Sequence, residues 1–210
     1  MPAFLRALEL GADAIELDVH ATRDGEVVVH HDFVVNAEGV PTAPRIADIT
    51  AAELNRFPLA GGVQIPLLRD VLIAIADRAV TFVEIKAPQI EALVVRCIRE
   101  SEANCVVHSF DHRIVLNVKK LFPAIRTGIL QVARPIMPVA ALREARADDL
   151  WQHVDYIDED LVAAAHGVGA RVIAWTANDP GQWETLTELG VDGLCTDRVG
   201  ELAAASLQLR

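Results

Sequence analysis

An α/β fold built on a parallel sheet is what this 210-residue sequence predicts, from three observations. Short apolar strands alternate with amphipathic helices along most of the chain. Several of the strand-like runs are apolar on both faces, as expected where helices cover a parallel sheet. Two of the short helix-to-strand joints share one local build: Glu9-Leu10-Gly11-Ala12-Asp13-Ala14-Ile15 precedes Asp18, and Glu188-Leu189-Gly190-Val191-Asp192-Gly193-Leu194 precedes Asp197. In each, a glycine ends a helix where a left-handed residue is wanted, and an apolar strand follows.

Taken in order, the chain opens in a helix at 2–10 and continues into a strand at 14–19. Thr22-Arg23-Asp24-Gly25 then reads as a turn, with Asp-Gly its strongest signal. Four residues are too few for a parallel crossover, so a hairpin is expected. The stretch 32–66 interrupts the alternation: it carries Asn36, Gly39, Pro41, Pro44, Pro58, Gly61 and Gly62 and no long periodic segment. Within it, Thr50-Ala51-Ala52-Glu53 has the form of a capping box and can start one short helix. A connection of this length covers an active site or is an insertion. Helices are predicted next at 67–77, 90–100, 114–121, 138–146, 159–167, 180–189 and 199–207. In the first of these, Leu68, Val71, Leu72 and Ile75 recur at the spacing of one buried face. The strands between them are predicted at 80–85, 105–110, 126–130, 154–157, 171–176 and 191–196. The first βα unit thus has its helix without its strand, and a closed barrel of eight parallel strands takes about 250 residues. With no linker or low-complexity tract, residues 1–210 are expected to form one domain.

Composition narrows the function. Hydrophobic residues make up 52% of the chain and mean hydropathy is +0.28, enough to bury a substantial core. A net charge of −11 speaks against nucleic acid or an anionic membrane as the main partner, since both want a basic footprint. No apolar run reaches the roughly 18 residues of a membrane span. Cys97, Cys105 and Cys195 form neither a CxxC pair nor an even disulfide set, so a cytoplasmic location is expected.

Two segments carry the chemistry. Strand alternation puts Glu16, Asp18 and His20 on one face and Ile15, Leu17 and Val19 on the other. Two carboxylates about 7 Å apart on one strand face repel in a dry interior, and a hard divalent cation with oxygen ligands resolves the conflict. If Thr22 faces Val27 across the hairpin, His31 returns opposite Asp18 and brings a group that titrates near neutrality. Of the adjacent His30 and His31, one at most faces the site. In the second segment, Glu84 and Lys86 share a strand face; Glu84 can complete an all-carboxylate metal site and Lys86 can hold an anionic oxygen. Metal and lysine together neutralise a phosphoryl group, which suggests a phosphate ester. Trp175, at the end of a strand, and Phe110 are candidate pocket walls. His166 is expected on a helix surface, and the cysteines as small core residues.

These segments together resemble the glycerophosphodiester phosphodiesterase family. The likeness runs through Gly11 to Val19, Asp24-Gly25 and His31-Asp32, then Ile65-Pro66-Leu67-Leu68, Val83-Glu84-Ile85-Lys86 and Ser109-Phe110-Asp111. It ends with Ala174-Trp175-Thr176-Ala177-Asn178-Asp179 and Leu189 to Asp197. The resemblance implies a TIM-type (β/α)8 barrel, here lacking its first strand. It implies Mg²⁺ or Ca²⁺ on Glu16, Asp18 and Glu84, His31 as one of two acid/base histidines, Lys86 on the phosphate, and Phe110 and Trp175 around the glycerol. The implied substrate is a small glycerophosphodiester, hydrolysed to glycerol 3-phosphate and an alcohol.

Two departures accompany the likeness. The family's other catalytic histidine lies in a His-Arg-Gly motif on the strand before the first helix, which has no counterpart here. Asp32-Phe33-Val34-Val35-Asn36 lacks the Arg and Thr usual after the His-Asp pair. The expectation is a coding region that begins upstream of Met1. The alternative is a catalytically impaired or non-catalytic fragment that binds metal or phosphate, or needs a partner.

Overall fold

The computed structural model describes residues 1–35 and 43–208; Asn36, Gly39 and Pro41 of the loop-rich stretch lie outside them. The described strands are β1 (Ala14–Ala21), β2 (Val27–Val29), β3 (Val80–Ile85), β4 (Cys105–Ser109), β5 (Arg126–Gln131), β6 (Asp149–His153), β7 (Arg171–Trp175) and β8 (Gly193–Leu194). They make one sheet in the order β2-β1-β3-β4-β5-β6-β7-β8, parallel throughout except for the β1–β2 hairpin. The helices are α1 (Pro2–Glu9), α2 (Ala51–Leu54), α3 (Leu68–Ile75), α4 (Glu91–Ser101), α5 (His112–Leu121), α6 (Ala140–Ala145), α7 (Glu159–His166), α8 (Pro180–Glu188) and α9 (Val199–Gln208).

Alternation along each strand sorts the residues into two cores. Outward, Ile15, Leu17 and Val19 of β1 pack with Val83 and Ile85 of β3 against the Leu68, Val71, Leu72 and Ile75 face of α3. Each such buried aliphatic side chain contributes about 1.5–3 kcal/mol. Inward, Phe82, Val106, Leu130, Trp151 and Ile173 meet one another, with Ala14 of β1 and Cys195 just after β8 packed against them. That meeting requires the sheet to curl into a TIM-type barrel arrangement. Among the described residues no ladder joins β8 to β1.

The repeated joint is a Schellman turn. Gly11 takes φ +93°, its N–H bonds the Leu8 carbonyl, and the Ala12 N–H reaches Ala7. Gly190 takes φ +84° and its joint repeats the pattern through Thr187 and Leu186. The loop-rich stretch carries its own small core of Val35, Ile46, Leu54 and Ile65 on Val28 of β2. The capping box forms as expected: Thr50 Oγ1 accepts from Glu53 N–H at 3.2 Å, and Glu53 Oε2 accepts from Thr50 N–H at 2.8 Å.

Two expectations need correction. The sixth strand lies at Asp149–His153, not 154–157, where Val154–Tyr156 forms a single 3₁₀ turn. Asp149 opens this strand inside the protein, where it is neutralised by Arg171, at 2.8 Å to each oxygen, and by Arg126 at 3.1 Å. The hairpin register is also one residue off: Ala21 faces Val27, and the His30 N–H bonds the Asp18 carbonyl. The cause is Gly25. Its left-handed φ of +81° inserts a bulge after the turn, so Thr22 pairs with Glu26 instead of Val27.

Candidate active site

Parallel register and alternation build the site. Asp18 stands beside Glu84, and Glu84 beside His108, on neighbouring strands. Glu16 shares the Asp18 face, and Lys86 follows Glu84 by two residues. These five side chains and His31 border one pocket of about 180 Å³ at the barrel mouth. A larger cleft of about 270 Å³ near Leu54 and Pro66 has only Asp70 as an ionisable wall residue and offers no opposed acid and base.

Lys86 Nζ lies 3.2 Å from Asp18 Oδ1 and 3.0 Å from Glu84 Oε1, with its side chain 15% exposed. Burial disfavours the ammonium, yet Glu84 and Asp18 outweigh that cost and raise its pKa. Burial also raises the pKa of Glu84, against the pull of Lys86.

Glu16 faces a different partner. Its Oε1 is 3.3 Å from Nε2 of the buried His108, without the alignment of a hydrogen bond, and both atoms are buried without a hydrogen-bond partner. One atom each from Glu16, Glu84 and His108 lies within 4.8 Å of the others. The orphaned atoms of Glu16 and His108, with a carboxylate oxygen of Glu84 from the strand between them, fit a cation. Two of the three expected metal carboxylates belong to this set; Asp18 borders the same pocket, paired with Lys86.

His31 reaches the pocket rim despite the register change. Its Nδ1 pairs with Asp32 Oδ1 at 2.8 Å, and the imidazole is largely exposed. Its carbonyl accepts from Nε2 of buried His20 at 3.1 Å, and the His20 ring packs on Phe33 at 5.0 Å. His30 turns to the Val34 carbonyl at 3.1 Å, away from the chemistry. Phe110 and Trp175 meet edge to face at 5.4 Å and form a wall. Ser109 fixes that wall: its Oγ donates to the Ile85 carbonyl and accepts from the Asp111 N–H. On the other side, Asn178 binds Thr196 and Asp197, tying the turn after β7 to the turn after β8.

Sequence reasoning missed His108 and Trp151. The available signal was phase: His108 stands two residues before Phe110 on the inward face of β4, as Val106 does. Trp151 packs edge-on against His108 at 4.4 Å. Gly128 leaves room for it, since a Cβ there would come within 3.1 Å of the indole. His166 sits on α7 and pairs with Asp192 at 2.9 Å. The cysteines are free. Burial pushes Cys195, at the pocket edge, up to about 12, with nearby carboxylates adding to it; Cys105 reaches about 12 by burial alone. Both are thiols at neutral pH.

The glycerophosphoryl diester phosphodiesterase family model matches residues 1–92 and 77–201. The chain is 32% identical over 214 residues to a glycerophosphodiester phosphodiesterase of Caldanaerobacter subterraneus subsp. tengcongensis, covering 93% of this chain and 86% of that one. It is 31% identical over 215 residues to one from Bacillus altitudinis, covering 94% and 87%. Solved structures share the fold. A phosphodiesterase of Oleispira antarctica, in complex with the product sn-glycerol-3-phosphate, matches with TM-score 0.87 and 22% identity, over 97% of this chain and 88% of that one. The glycerophosphodiester phosphodiesterase of Thermotoga maritima matches with TM-score 0.82 and 24% identity, over 100% and 90%. On the length and strength of these matches, the chain belongs to the glycerophosphoryl diester phosphodiesterase family.

Proposed function

We propose that this pocket hydrolyses small glycerophosphodiesters to glycerol 3-phosphate and an alcohol. The observation that carries this reading is the meeting of Glu16, Asp18 and Glu84, from two separate segments, with Lys86 and His31 in one pocket. The relatives named glycerophosphodiester phosphodiesterase and the product-bound Oleispira antarctica protein support it.

Glu16 and Glu84 would hold a divalent cation, with Asp18 joining once Lys86 turns to substrate; carboxylates alone suit Mg²⁺ or Ca²⁺. When bound, the ion supplies Lewis-acid polarisation of a phosphoryl oxygen. Lys86 donates from Nζ to a non-bridging oxygen and offsets the charge that grows on the pentacovalent phosphorus. Asp32 accepts the His31 Nδ1–H, which leaves Nε2 free to exchange a proton with the attacking water or the leaving oxygen. Phe110 and Trp175 flank the glycerol end. Three free cysteines are consistent with a cytoplasmic setting, and no described helix is long and apolar enough to cross a membrane.

The test is release of glycerol 3-phosphate from glycerophosphocholine by the full chain. Expected is turnover that a chelator abolishes and a divalent cation restores, reduced at least about 10²-fold by Glu16→Ala. Turnover unaffected by Glu16→Ala contradicts the assignment. A second reading, in which the pocket binds metal and phosphate with impaired turnover, is favoured by the lack of a ladder joining β8 to β1 among the described residues. It is distinguished by binding of glycerol 3-phosphate without hydrolysis of the diester.

A further inference from the structure

His108 lies buried in the pocket floor with neither ring nitrogen hydrogen-bonded, an arrangement that is costly unless something else satisfies it. Lys86 serves Asp18 and Glu84 and leaves Glu16 Oε1 and His108 Nε2 as mutual orphans 3.3 Å apart. That spacing is characteristic of neighbouring ligands: two atoms at right angles about an ion, each about 2.1–2.3 Å from it, are about 3.0–3.3 Å apart. Glu84 closes the set, all three atoms lying within 4.8 Å of one another. The ring cannot easily swing elsewhere, since Trp151 packs against it at 4.4 Å and Phe82 lies at 6.1 Å.

Building on the phosphodiesterase reading above, we propose that His108 Nε2 is itself a ligand of the divalent cation, beside Glu16 and Glu84. The site is then a mixed nitrogen–oxygen centre. Ca²⁺ and Mg²⁺ prefer oxygen, whereas Mn²⁺ and Co²⁺ accept an imidazole readily, so His108 moves the preference of the site toward the transition metals.

The experiment loads the metal-free full chain with one equivalent of Mn²⁺ and records electron spin echo modulation from ligand nitrogen. In parallel, Co²⁺ and Ca²⁺ affinities are measured by calorimetry. Expected is ¹⁴N modulation in the wild type that persists in His31→Asn and vanishes in His108→Gln. His108→Gln should weaken Co²⁺ binding at least about tenfold and change Ca²⁺ binding less than about twofold. Should His108→Gln fail to fold, the wild type and the exposed His31→Asn variant still decide the matter. Bound Mn²⁺ without nitrogen modulation, or with modulation lost in His31→Asn, overturns the ligation by His108 and leaves the carboxylate site standing. Absence of bound Mn²⁺ overturns both.

Discussion

Lys86 holds two carboxylates at once, at 3.2 Å and 3.0 Å, in the pocket where a phosphate would arrive. Lys86→Met removes a donor aimed at charge that develops in the transition state, so kcat should fall about 10²–10³-fold in the glycerophosphocholine assay. A change confined to KM would instead mean that Lys86 only recruits substrate. His20 is a positioning residue, bonding the His31 carbonyl from a buried site. Its pKa is lowered below the ordinary value near 6.5, chiefly by burial, with His30 and Lys86 adding and the His31 carbonyl and Asp18 opposing. A histidine depressed in this way takes up its proton more readily once the chain unfolds. Its contribution to stability is therefore full above the unfolded pKa and is lost as the pH falls below it. Urea unfolding at pH 7.5 and 5.5 should show the wild type losing stability on acidification, with a smaller loss in His20→Gln. An equal loss in both would remove His20 from the account. At this scale the shared faces of Glu16 with Asp18 and of Glu84 with Lys86 were legible, since period-two alternation assigns faces without knowledge of the partner strand; His31 lines the pocket although the hairpin register that pointed to it was one residue off. His108 was not, because its meaning depends on which strand lies next to it and in what register.

The recurring element is the helix-to-strand joint. Gly11 and Gly190 hold left-handed conformations, and Arg146 takes the same place at the α6–β6 joint with φ +55°. A Cβ at Gly11 meets nothing within 4 Å, and at Gly190 only Val162 at 3.8 Å, so crowding is not the reason for glycine. The backbone conformation is. Gly11→Ala and Gly190→Ala should each cost about 1 kcal/mol in urea unfolding, with the m-value unchanged. A neutral result would show that these joints relax into another cap. The joints were legible because glycine marks left-handed backbone directly. Strand β6 was misplaced because Asp149 reads as polar, and its two arginine partners come from neighbouring strands. The hairpin register failed for a related reason, since a left-handed Gly25 adds a bulge that strand periodicity does not announce.

For the whole molecule, the curl of the sheet is what brings Glu16 of β1 within reach of His108 of β4 and places Cys195 on the far rim of the same pocket. Alternating apolar strands and helices announced the α/β class, while the curl that assembles the pocket is a property of all the strands together. Because the proposed ion binds the folded chain, it should also stabilise it: cation at 100 times its Kd adds about 2.7 kcal/mol. That corresponds to a rise in Tm of roughly 5–10 °C for a chain of this size. The rise should be reversed by a chelator and absent in Glu84→Gln; an equal rise in Glu84→Gln would place the ion elsewhere. The most direct measurement is a crystal structure of the full chain grown with Mn²⁺, with the ion located by anomalous scattering. The expected result is one strong peak bounded by the carboxylates of Glu16 and Glu84, with Lys86 and His31 facing it across the pocket. A peak at another site, with Glu84 still paired only to Lys86, would contradict the account.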